Sequence, residues 1–99
     1  MNMQALMQQA QKMQKDMEKK QSELAKKEFV GISELVDITL TGDKKIVNVN
    51  IKIDGSLDEG DKEILQDMIV LAFNDAMKKI EEEQKKALGP LASQLGGIF

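Results

Sequence analysis

Apolar residues recur near the start of the chain at Met3, Leu6, Ala10, Met13, Met17 and Leu24. Their alternating spacing of three and four lays them along one stripe of a helix, interrupted only by Lys20. At ~100° per residue, Lys12, Lys15, Lys19 and Lys26 gather on the opposite side, with Lys20 and Lys27 flanking them. No Gly or Pro interrupts Met3 to Glu28, and the stretch is rich in Ala, Leu, Met, Gln, Lys and Glu, all strong helix formers. The pattern predicts one continuous helix about 39 Å long at 1.5 Å per residue. A globule of 100 residues has a radius of gyration of only ~13 Å, so such a helix either projects from the body or packs against another copy.

After Glu28 the period shortens from helical to alternating. Phe29 to Ser33 is a short strand candidate with Gly31 inside it, where a bulge or a close backbone approach is expected. Leu35 to Thr41 places Val36, Ile38 and Leu40 on one face and Asp37 and Thr39 on the other. Ile46 to Ile53 repeats this, with Val47, Val49, Ile51 and Ile53 inward and Asn48, Asn50 and Lys52 outward. Gly42, Asp43, Lys44 and Lys45 between these strands supply hairpin chemistry. The result is a three-stranded antiparallel meander with one solvated face.

Asp54 to Gly60 reads as a polar connector in which Asp58 or Asp61 caps a second helix over residues 62–87. Leu65, Met68, Ile69, Ala72, Phe73, Ala76 and Ile80 form that helix's main face, but Ile69 to Phe73 are consecutive apolar residues. A helix apolar nearly all round is buried on more than one side, here by the sheet and by a second subunit. Asn74 within it reads as a hydrogen-bonded packing residue. Gly89 and Pro90 are expected to stop the helix, which leaves residues 1–88 as a single domain and 89–99 as a flexible tail.

Composition sharpens the need for a partner. Apolar residues make up 41% of the chain but aromatics only 3%, so few large side chains anchor a monomeric core and oligomerisation helps. The absence of Cys removes disulfides and thiolate chemistry and fits a reducing cytoplasm. No continuous apolar run resembles a signal sequence or a membrane span. The net charge of -3 is unevenly spread: residues 1–28 carry six Lys against four acids, whereas both later thirds are net acidic. A symmetric dimer would therefore present two basic helices.

Candidate chemistry is sparse. With neither His nor Cys, the usual general base, thiol nucleophile and zinc ligands are missing. Asp54, Ser56 and Asp58 imitate the start of a calcium loop but meet Glu59 where it needs Gly and Leu65 where it needs a bidentate Glu. Asp54, Asp58 and Asp61 read as a solvated turn rather than an acid/base site, and Glu81 to Glu83 followed by Lys85 and Lys86 as an ion-paired helix end. Neither enzymatic activity, a metal nor a cofactor is expected. From pattern alone the Lys stripe has two readings, a solvated face with Asp16 and Glu23 as ion-pair partners or a polyanion-binding surface, and the first is the commoner.

The combination resembles the YbaB/EbfC family of bacterial nucleoid-associated DNA-binding proteins. Gln9-Ala10-Gln11-Lys12-Met13-Gln14, Gln21-Ser22-Glu23-Leu24 and the stretch Leu65 to Ala76 carry the likeness, with Phe29-Val30-Gly31, Leu35-Val36 and Ile53-Asp54 between them. The resemblance spans about residues 3–88. It implies an α+β fold: an α-β-β-β-α protomer with the meander between two long helices, assembled as an intertwined homodimer. It also implies a cytoplasmic, nucleoid-located protein that binds double-stranded DNA with little sequence preference and affects its conformation or gene expression, with neither a membrane nor a small-molecule substrate as partner. Lys12, Lys15, Lys19, Lys20, Lys26 and Lys27 are the candidate DNA contacts from the helical wheel. Met13, Met17, Leu24, Ile69, Ala72, Phe73 and Ala76 are the candidate dimer and core residues. All 14 basic residues are Lys, which leaves no Arg for bidentate guanine readout. The competing reading is a protein-interaction scaffold or holdase gripping apolar partners with Met-rich helices; an interfacial membrane helix is weaker, because the stripe lacks Trp and Phe.

Overall fold

The computed structural model describes residues 2–96, with side chains described as far as Pro90. It shows the expected order: helix α1 (Met3–Lys26), strands β1 (Glu28–Ile32), β2 (Val36–Thr41) and β3 (Ile46–Ile51), then helix α2 (Glu59–Gly96). The strands form a single antiparallel meander in the order β1-β2-β3. The fold is therefore α+β, as the alternation of patterns along the chain indicated.

Local chemistry sets the ends of these elements. The Asn2 side chain accepts the backbone N–H of Gln4 at 3.0 Å and caps α1. Asp58 caps α2: its carboxylate accepts the N–H of Asp61 at 2.8 Å, while the Asp61 carboxylate reaches back to the N–H of Asp58 at 3.2 Å. This reciprocal capping box occupies two of the acids in the connector. In the β2–β3 turn Lys44 adopts a left-handed φ of 67°. The Thr41 hydroxyl donates to the Asp43 carboxylate, which holds that carboxyl below its usual range.

The core lies between α2 and the inner face of the first two strands. Val36, Ile38 and Leu40 are fully buried against Ala72, Ala76 and Ile80, joined by Phe29 and Leu24. Small residues bring the layers close: a Cβ on Gly31 would fall 1.9 Å from the Ala72 carbonyl oxygen and 2.6 Å from the Ala76 nitrogen. The expected close approach at Gly31 is thus the seat of α2 on β1. Gly42 serves the other helix, since a Cβ there would lie 1.8 Å from the Leu24 carbonyl oxygen. Its N–H donates to the Lys27 carbonyl at 2.9 Å and ties the end of α1 to the hairpin.

Four details differ from expectation. The helix does not end at Gly89 and Pro90; α2 runs through Pro90 to Gly96. Proline removes the hydrogen bond to the carbonyl four residues back, on Lys86, and its ring crowds that carbonyl. Lys86 and Pro90 are both exposed, so water can take that carbonyl. Of the expected tail, residues 97–99 lie outside the described residues. Second, the register slips at Thr39/Leu40, so Ile46 rather than Val47 opposes Leu40 and Val47 is the extra residue of a bulge. Third, Val49 and Ile51 do face inward, opposite Ile38 and Val36, but remain 45% and 47% exposed. The reason is geometric: α2 packs over β1 and β2 and leaves β3 beyond its footprint. Asn74 is likewise exposed rather than packed.

Candidate nucleic-acid interface

α1 leaves the body as an arm. Of its side chains only Leu24 is buried; Met13 and Met17 are half-buried, and Met3, Leu6 and Met7 are exposed. The protomer is correspondingly elongated, 71 × 19 × 13 Å with a radius of gyration of 19.9 Å, well above the ~13 Å of a compact chain this size. The arm is anchored at its C-terminal end, where Leu24 enters the core and Lys20, Glu23 and Lys27 line a groove against Glu83 and Ala87 of α2.

The candidate lysines fall into two groups. Lys12, Lys15, Lys19, Lys20 and Lys26 are exposed, and none makes a salt bridge among the described residues. From Lys12 to Lys26 they extend about 21 Å along the helix axis at 1.5 Å per residue. Lys27 differs, because it sits at the C-cap of α1 with its Nζ 2.9 Å from the Glu83 carboxylate and 5.6 Å from the centre of the Phe29 ring. Its ammonium holds the Glu83 carboxyl below the usual range. Lys27 therefore ties the end of α1 to α2, a role that its place on the wheel does not reveal.

The dimer and core candidates divide in the same way. Leu24, Ala72 and Ala76 are buried within the protomer, Phe73 is half-buried, and Ile69 is partly exposed beside Val70 and Leu71, which are 57% and 54% exposed. The apolar girdle of α2 therefore has one side on the sheet and another facing solvent in the isolated protomer.

A contact absent from the sequence reading closes the free edge of β1. The Asp75 carboxylate accepts the N–H of Ile32 at 2.9 Å, and the Lys79 ammonium donates to the Val30 carbonyl at 2.7 Å. The two side chains also pair with each other at 3.2 Å, one helical turn apart. The Ile32 N–H, helped by Lys79, lowers the Asp75 carboxyl from its usual range. Only the i, i+4 spacing was readable beforehand.

The structure is an α-β-β-β-α protomer with no Cys and with a projecting helix that carries a face of exposed lysines. The chain matches the model of the YbaB/EbfC DNA-binding family over residues 1–95 and belongs to that family. It is 53% identical to a nucleoid-associated protein of Streptococcus thermophilus over 97 residues, covering 96% of this chain and 97% of the relative. Similar proteins carrying the same description occur in Streptococcus equi subsp. zooepidemicus, at 52% identity, and Streptococcus pyogenes, at 50%, with the same coverage. Among the described residues no helix is long and apolar enough to cross a membrane.

Proposed function

We propose that this protein binds duplex DNA as a homodimer, in the nucleoid of a bacterial cytoplasm, by neutralising phosphates with Lys12, Lys15, Lys19, Lys20 and Lys26 on two projecting α1 arms. The observation that carries the reading is the set of exposed lysines, free of salt bridges among the described residues, on a helix that stands clear of the body. Lysine is a compact point charge suited to phosphate contact, and phosphate contact orients a protein without reading bases. With no Arg available, affinity is nearly independent of sequence.

Titration against random-sequence duplex DNA at a series of salt concentrations tests this. If two arms together neutralise about four to eight phosphates, the logarithm of the binding constant falls with the logarithm of salt with a slope of about -4 to -7. The exposed apolar tip of the arm, Met3, Leu6, Met7 and Ala10, favours the scaffold or holdase reading as the runner-up. Absence of salt-dependent DNA binding by a folded protein would put that reading first.

A further inference from the structure

The charged residues of this chain all lie between Lys12 and Lys86. Residues 1–11 and 87–99 carry none, in a sequence that is 31% charged overall. The fold brings these two charge-free segments toward the same end of the molecule. Lys27 reaches Glu83, and four residues further along α2 Ala87 lines a groove with Lys20 and Leu24, so the two helices run antiparallel. At 1.5 Å per residue α2 is about 57 Å long and α1 about 36 Å. Both therefore lie along the 71 Å axis of a molecule only 19 Å and 13 Å across.

The exposure of the α1 stripe follows the reach of α2. Leu24 is buried and Met17 and Met13 are half-buried, whereas Leu6 is 44%, Met7 60% and Met3 74% exposed. From Ala87 to Gly96 the helix advances about 13 Å, which measured back from Leu24 and Lys20 ends beside about residues 11 to 15 of α1. Cover is lost where α2 runs out. Past that point a shallow apolar groove of about 260 Å³ runs along Met3, Leu6, Met7, Gln9 and Ala10.

We infer that the segment Gly97-Ile98-Phe99 folds back over this groove in its own chain and seats Ile98 and Phe99 against Leu6, Met7 and Ala10. Three residues beyond Gly96 span up to about 10 Å, the rise of about six or seven helical residues, and so reach from the end of α2 to Leu6. Gly97 follows the last helical residue, where glycine lets a chain leave the helix axis. A Phe ring against a methionine thioether is a favourable contact in addition to the apolar area it covers. Lys12, Lys15 and Lys19 lie on the opposite side of α1 and stay open, so the docking stands apart from the DNA-binding reading. It removes instead the apolar surface on which the scaffold reading depends.

Nuclear magnetic resonance on the intact protein with labelled methionine methyls tests this, because the chain has only three Phe and both Phe29 and Phe73 belong to the body. The Met7 methyl is expected to show a nuclear Overhauser effect to the Phe99 ring. In a sample mixing labelled and unlabelled chains, an effect that arises only between chains overturns docking on the chain's own arm and gives the groove to a second copy. The double variant Ile98→Ser, Phe99→Ser supplies an independent readout and leaves the packed body untouched. Its Met7 and Ala10 amides, which lie within α1, are expected to exchange at least about tenfold faster than in the parent, while those of β2 keep their rates. Unchanged exchange at Met7 and Ala10 contradicts the docking, as does a Met7 methyl without contact to Phe99.

Discussion

Single atoms set the tolerances of this small core. Gly31 is required by its neighbours, not by its dihedral angles, because a methyl there would collide with backbone of α2 rather than with a side chain that can rotate. Gly31→Ala is expected to destabilise the protein by about 2–3 kcal/mol, at the upper end of overpacking costs, measured as a lower denaturant midpoint at unchanged slope. The special character of Gly31 was legible from its place in an alternating strand; that of Gly42 was hidden behind its evident use in a hairpin, because the sequence does not say that α1 ends there. The role of Asp75 was hidden because its partner Ile32 is distant in sequence, and Glu83, expected to pair within its own helix end with Lys85 and Lys86, pairs instead with the distant Lys27. Both carboxyls are lowered in the fold, so each contributes stability above the unfolded carboxylate range that is lost as pH falls through about 4 and below. Thermal melts should therefore shift down between pH 7 and pH 3, and Asp75→Asn should narrow that gap by lowering the melting temperature at pH 7. An equal pH response in the variant would show that the clasp adds nothing.

Each element answers a different demand. α1 is long because nothing in it breaks a helix, and its type, direction and lysine face could all be read from a period of 3.6. Its boundary was harder, since Lys27 has helix-forming character but is drawn into an extended cap by Gly42 and Glu83. The continuation of α2 past Pro90 was misread because a local breaker signal outweighed the helix-forming residues after it. On the proposed reading, the arm is where DNA binding changes without touching the fold. Lys15 and Lys19 are exposed and lie opposite the Met13 and Met17 stripe, and Ala is the best helix former, so the Lys15→Ala, Lys19→Ala double variant should keep its circular dichroism and its melting temperature. Across two arms it removes up to four phosphate contacts, so the salt slope should lose up to about 3.6 units of magnitude and the affinity should fall with it. An unchanged slope in the folded variant would move the DNA surface to Lys44, Lys45 and the end of α2.

At the scale of the molecule the protomer leaves apolar surface open. It carries exposed Val70 and Leu71 on α2 and exposed Val49 and Ile51 on β3, a concentration of apolar surface that soluble monomers rarely leave open. The sequence pointed to this through the unbroken run Ile69 to Phe73, but which side of α2 faces the sheet follows only from the tertiary placement of Asp75 and Lys79. Sedimentation equilibrium at micromolar concentration should give about twice the 11.1 kDa chain mass. The assembly and the DNA affinity are then coupled, because a dimer brings two arms to one duplex and the second engagement is intramolecular. The neutral double substitution Val49→Thr, Val70→Gln tests the coupling. Both side chains are already exposed in the protomer, so the fold should persist, while the apolar surface offered to a second copy is reduced. The variant should sediment as a folded monomer, bind DNA with about half the parental salt slope, since one arm holds half the lysines, and lose well over tenfold in affinity at the same salt. Full parental affinity in a proven monomer would mean that a single arm suffices and that dimerisation serves some end other than DNA binding.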